Sequence, residues 1–188
     1  MKLIIFTLTI FLIVFSFINY NAFSSSFPEL DDYDTFGNEI IEIGDFDGDG
    51  IIDLAVTSRH DDASGEDPSR KNAIIDKGAI YILFLNSDAT VKSYQKISDT
   101  SGNFNANLDD YDFFGRDITN VGDFDGDGII DLAVGAYKDD DGGEDKGAIY
   151  ILFLNSDATV KSYQKISDTS GNFDLIRIII NFLKNIFF

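Results

Sequence analysis

An all-β protein built from two blade-like units, each of four short antiparallel strands, is the fold this sequence predicts. Three observations predict it. The chain repeats itself: residues 44–56 (GDFDGDGIIDLAV) recur unchanged as 122–134, and residues 76–104 recur identically as 145–173. Within each copy, runs rich in Ile, Val, Leu and Tyr are separated by clusters of Asp, Gly, Asn and Ser, the punctuation of strands and turns. A four-stranded antiparallel unit repeated in tandem is the pattern of a propeller blade.

The first segment stands outside the repeat. Lys2 precedes an apolar run from Leu3 to Phe17, and Ala22-Phe23-Ser24 puts small residues three and one before a cleavage point. That layout reads as a secretory signal peptide over 1–24. The competing reading is an uncleaved membrane anchor, although the run is short for a span of roughly 20 residues. Either way the body of the chain is expected outside the cytoplasm, secreted or at the cell surface.

The first unit, 28–100, reads as strands near 39–44, 51–57, 78–85 and 91–98; the second, 106–173, as strands near 118–122, 129–136, 147–154 and 160–167. The third strand of each unit is apolar on both faces, as a strand covered on both sides should be. Asn86-Ser87-Asp88-Ala89 then supplies a turn. The fourth strand is polar, with Lys92 and Lys96 on one face, which suits an exposed edge. The first copy carries nine extra residues between Val56 and Asp76, including His60, Pro68 and Arg70. Such insertions fall in loops, because a strand would lose register. Two units leave apolar faces in need of cover at Ile80, Ile82 and Phe84 and at their repeats Ile149, Ile151 and Phe153, so self-association through open blade faces is expected. Beyond the repeat, 174–188 places Arg177, Asn181, Lys184 and Asn185 at helical spacing. It reads as an amphipathic tail that touches a membrane, covers the second unit, or is an end unrelated to the repeat.

Composition narrows the chemistry. With 33 Asp+Glu against 14 Lys+Arg, the formal charge of −19 repels phosphate and excludes nucleic acid as a partner. The absence of Cys removes disulfides, thiolate zinc sites and thiol catalysis, and a single His makes His-dependent catalysis improbable. His60, beside Asp61 and Asp62, is read as a solvated loop residue. The acidic stretch Asp139-Asp140-Asp141 with Glu144 and Asp145 is read as a solvated loop rather than a further cation site. Tyr33 and Tyr111 are expected to pack beside Phe36 and Phe114.

The residues that carry chemistry sit between the first two strands of each unit: Asp45, Asp47, Asp49, Ile51 and Asp53 in one copy, Asp123, Asp125, Asp127, Ile129 and Asp131 in the other. Carboxylates at loop positions one, three and five converge, Gly at six permits the sharp turn, Ile at seven offers a carbonyl, and Asp at nine returns from the strand. With water, such a set satisfies the six to eight oxygens Ca²⁺ prefers. The alternative is an acidic surface turn, since Asp-Gly is also a hairpin signal. Repulsion of about 4 kcal/mol per carboxylate pair at intermediate dielectric argues for an offsetting cation, so about two Ca²⁺, one per loop, are expected. An EF-hand is rejected, because its twelfth position requires Glu and here it is Val56 or Val134, with β-like flanks.

These residues resemble the FG-GAP repeats of integrin α-subunit propellers and their bacterial relatives. Phe36-Gly37 and Phe114-Gly115 match the Phe-Gly element. Val134-Gly135-Ala136-Tyr137 resembles the Gly-Ala-Pro element with Tyr in place of Pro, while Val56-Thr57-Ser58-Arg59 has lost it. The resemblance covers 28–173 and implies β-propeller blades with calcium in a structural part. The functional expectation is an exported, non-enzymatic binding or adhesion module with a protein or glycan ligand, whose membrane contact is confined to the N-terminal segment or the tail. The alternative is a non-catalytic accessory propeller fragment of a larger secreted hydrolase or surface protein.

Overall fold

The computed structural model describes residues 30–61 and 76–171. The expected signal segment 1–24 and the tail 174–188 lie outside the described residues. Eight strands follow in chain order: β1 (Ile40–Gly44), β2 (Asp53–Ser58), β3 (Ala79–Leu85), β4 (Val91–Ile97), β5 (Phe114–Gly122), β6 (Asp131–Ala136), β7 (Ala148–Leu154) and β8 (Val160–Ile166). They form two antiparallel sheets, each with its strands in sequence order, β1-β2-β3-β4 and β5-β6-β7-β8. The described residues contain no helix, and the fold is all-β as the repeat predicts.

Three strand starts differ from the expectation for physical reasons. β2 and β6 begin at Asp53 and Asp131, not at the preceding Ile-Ile pair. Ile52 is 55% exposed and belongs to the loop, so the apolar pair is not the start of a ladder. β5 begins at Phe114, earlier than expected, because the segment from Phe114 onward joins the seam with the first sheet. The β3–β4 turn closes as its residue types predict: the Asn86 N–H donates to Thr90 O at 2.8 Å, and Asp88 Oδ1 accepts from the Thr90 N–H at 3.1 Å.

The alternation of β3 decides the packing. Ile80, Ile82 and Phe84 point to one side and join a core shared with Phe114, Ile118, Leu132, Val134, Tyr150, Leu152 and Leu154 of the second sheet. Tyr81 and Leu83 point to the other side and cluster with Val56, Leu30 and Phe36. The sheets therefore stack head to tail, one face type against the other, with β5 lying across β1, β2 and β3. The link after β4 reaches into this seam. Phe104 stacks on Phe114 with ring centroids 4.9 Å apart and meets Tyr150 and Tyr163 edge-on at 5.6 and 5.2 Å. Asn103 Nδ2 donates to Val160 O at 2.7 Å, tying that link to β8. The seam is tight at Gly78: it has φ +88°, and a Cβ there would lie 2.0 Å from Phe114 O.

This arrangement corrects the expectation that both third strands would present open faces. Ile80 and Ile82 are fully buried between the sheets, whereas Ile149 is 47% exposed. Its face of the second sheet, with Ala133 and Gly135, lines an open concavity of about 770 Å³. Truncating a buried Ile costs about 2–5 kcal/mol, and truncating one on an open face costs well under that. Ile80→Ala is therefore expected to lower the urea-unfolding free energy by about 2–5 kcal/mol and Ile149→Ala by less than about 1 kcal/mol. Equal losses at these two identical sequence positions would contradict the stacking.

Candidate metal centre

The β1–β2 loop brings three carboxylates together at the sheet end. Oxygens of Asp45, Asp47 and Asp49 lie within 4.8 Å of one another, and in the β5–β6 loop so do those of Asp123, Asp125 and Asp131. Local hydrogen bonds shape both loops. Asp45 Oδ2 accepts from the Gly50 N–H at 2.9 Å, and Asp49 Oδ1 from the Ile51 N–H at 2.9 Å. The second loop repeats this: Asp123 Oδ2 accepts from Gly128 and Asp127 Oδ1 from Ile129, both at 2.9 Å. Alternate residues thus curl their carboxylates inward onto the loop's own N–H groups, while Gly50 and Gly128 take φ of +89° and +90° at the sharp bend. Hard carboxylate oxygens gathered this way can hold a divalent cation such as Ca²⁺.

The ninth-position carboxylates do something the spacing does not reveal. Asp53 and Asp131 are fully buried. Asp53 Oδ2 accepts from the Phe46 N–H at 3.0 Å while its Oδ1 accepts from the Leu85 N–H at 2.9 Å. Asp131 does the same with Phe124 at 2.9 Å and Leu154 at 3.1 Å. Each carboxylate therefore bolts the loop to the end of the third strand. The two loops then close differently: Asp131 shares a cluster with Asp123 and Asp125, whereas in the first loop the cluster is completed by Asp49 and does not include Asp53.

Lysines from the outer strands reach both loops. Lys92 of β4 pairs with Asp47 and Asp49 at 2.7 and 2.8 Å, and Lys161 of β8 pairs with Asp125 at 2.6 Å and with Asp127. The Lys92 hydrogen bond holds the Asp49 carboxyl below the usual range, as Lys161 does for Asp127. The fourth strands are edge strands as expected, and their lysines are in addition specifically paired.

At the opposite end of each sheet lies a buried network that the sequence reading missed. Asp61 Oδ2 accepts from Tyr81 Oη at 2.5 Å, and its Oδ1 pairs with Lys96 at 2.7 Å. Asp139, only 1% exposed, accepts from Tyr150 Oη at 2.9 Å and pairs with Lys165 at 2.7 Å. Asp139 is therefore a buried anchor and not part of a solvated loop. Burial, with the Asp61 carboxylate beside it, pushes the Tyr81 hydroxyl well above its ordinary range, and burial with Asp139 does the same for Tyr150. His60 is not simply solvated either: its Nδ1 lies 3.0 Å from Asp76 Oδ1 and its ring meets Phe113 edge-on at 5.2 Å. Tyr33 is 90% exposed, and Tyr111 leans on Phe113, so neither packs where expected; Phe36 and Phe114 instead meet Tyr81 and Tyr150. Asp61 lies 20 residues from Tyr81 and Asp139 lies 11 from Tyr150, so the sequence offers no local signal for these networks, whose members only the fold brings together.

Residues 114–152 match the family model described as the FG-GAP repeat. The match opens on Phe114-Gly115 and runs through the whole second carboxylate loop into β7.

Two outcomes follow from this geometry. In chelator, Asp131→Ala is expected to cost about 3 kcal/mol in urea unfolding, because it strips buried N–H groups of a charged acceptor, whereas Asp125→Ala, whose partner is an exposed lysine, costs about 1 kcal/mol or less. A loss of similar size in both would show that Asp131 is a ligand only. The second outcome concerns Asp112, which is 2% exposed and whose carboxyl burial pushes up from 3.8 to about 6. The folded chain then keeps a proton that the unfolded chain has released, so this group's contribution is fully present below about pH 4 and is lost as pH rises through about 6. Asp112→Asn should melt above the parent protein at pH 7 and level with it at pH 4. A gap that does not grow with pH would refute this.

Proposed function

We propose that the chain is an exported, calcium-binding module of FG-GAP type that serves binding or adhesion at the cell surface without catalysing a reaction. The observation that carries the reading is the convergence of three carboxylates in each of two loops. The same local hydrogen bonds build both, at the corresponding end of each sheet. Asp45, Asp47 and Asp49 would hold one ion and Asp123, Asp125 and Asp131 the other, with Asp53, Asp127 and the Ile51 and Ile129 carbonyls as further donors. An ion there supplies positive charge that offsets carboxylate repulsion, so its part is to stiffen the blade ends, and the binding partner, a protein or a glycan, is met by the surface those ends support. The export signal over 1–24 belongs to this reading.

Calcium titration by calorimetry on the chain starting near Ser25 tests it. Two sites are expected, with dissociation constants of roughly 10⁻⁴–10⁻³ M as in other extracellular modules. Asp47→Ala and Asp125→Ala should each remove one site. Saturation at 100 times the dissociation constant should add about 2.7 kcal/mol per site and raise the melting temperature by several degrees. Unchanged stoichiometry in both variants, or coincident melts in calcium and chelator, would refute the ligand assignment.

A further inference from the structure

The calcium reading, on which this inference rests, does not account for the two lysines that reach into the loops. Lys92 Nζ lies 2.7 Å from Asp47 Oδ2 and 2.8 Å from Asp49 Oδ2. The opposite oxygens of these carboxylates are already engaged, Asp47 Oδ1 by the Asp49 N–H at 3.2 Å and Asp49 Oδ1 by the Ile51 N–H at 2.9 Å. The ammonium thus sits on the oxygens left free for a cation. The second loop repeats the arrangement, with Lys161 Nζ 2.6 Å from Asp125 Oδ2 and in contact with Asp127 Oδ2, while Asp127 Oδ1 takes the Ile129 N–H. Each lysine comes from an edge strand and is separated in sequence by more than 30 residues from the loop it enters.

We propose that Lys92 and Lys161 are resident counter-ions that hold the loops when no metal is present and are displaced by the incoming divalent cation, thereby setting the metal concentration at which each loop fills. A lysine suits this exchange. Its ammonium is a compact point charge on a flexible four-carbon stem, so it can leave without disturbing the strand that carries it. The Lys92 and Lys161 side chains remain 42% and 38% exposed and have open solvent to swing into. Ammonium and metal cannot share the same two oxygens, since like charges a few ångströms apart repel strongly outside bulk water. Without the lysine, the apo loop would keep its carboxylate repulsion uncompensated.

Calcium titration of Lys92→Gln, Lys161→Gln and Lys146→Gln tests the proposal on the full mature chain. Lys146 is the control for net charge: it pairs with Asp168 at 2.6 Å, in the connection at the far end of the second sheet from its carboxylate loop. Lys92→Gln and Lys161→Gln are each expected to tighten one site about fivefold to tenfold, the equivalent of one to two exposed ion pairs no longer competing. Lys146→Gln should leave both sites within about twofold. In chelator, Lys92→Gln and Lys161→Gln should melt below the wild type, with Lys92→Arg and Lys161→Arg restoring most of the loss. Calcium affinity unchanged or weakened in the loop variants overturns the counter-ion role and leaves the calcium reading intact. Equal tightening in Lys146→Gln reduces the effect to net charge and also overturns it. Binding absent from wild type but present in the loop variants supports it, and binding absent from every form overturns both readings.

Discussion

The third strand of each sheet is apolar on both faces, and that constraint organises everything else in the molecule. A strand such as β3, with Ile80, Ile82 and Phe84 on one side and Tyr81 and Leu83 on the other, cannot be satisfied within a single sheet. The first sheet meets the demand on one side by accepting the second sheet's opposite face, and the head-to-tail stack follows. Phe104 completes the seam by filling the space between the sheets from the connecting segment, stacked on Phe114 and edge-on to Tyr150. Such aromatic contacts add about 0.5–1.5 kcal/mol each beyond the area they bury. The seam is thereby a directional joint, not a generic apolar contact.

With the sheets placed, polar networks pin the two ends of each one. At one end a buried carboxylate, Asp53 or Asp131, spans from the loop backbone to the last residue of the third strand. At the other, Asp61 or Asp139 is satisfied by a tyrosine hydroxyl and a lysine ammonium. A buried carboxylate is tolerable only when its oxygens find donors, and each of these does. The carboxylate loops are therefore mounted on a rigid frame, and the acidic residues left at their tips are free to answer to cations, whether a lysine or a metal.

The candidate site was legible in the sequence where its logic is local. Positions one, three and five of the loop, with Gly at six, lie within a few bonds of one another, so their spacing alone predicts convergence, and Asp45, Asp47, Asp49, Asp123 and Asp125 do converge. The ninth position was legible as an acidic residue near the loop but not as a clamp, because its second partner, Leu85 or Leu154, lies 32 or 23 residues away. Lys92 and Lys161 read as edge-strand charges for the same reason. Asp139 read as solvated because its neighbours Asp140 and Asp141 are acidic; its burial comes from Tyr150 and Lys165 on other strands.

What the sequence determined by itself is the unit: strand count, order, turn positions and the inward curl of the carboxylate loops, all set by periodicity and by contacts a few residues apart. What only the tertiary structure decided is which copy of an identical surface is covered. Residues 76–104 and 145–173 are the same 29 residues, and local propensity treats them alike. Yet Ile80 is fully buried while Ile149 is 47% exposed. The difference arises because burial is a property of neighbours, and among the described residues a second sheet lies against the Ile80 face, while the Ile149 face opens onto a concavity.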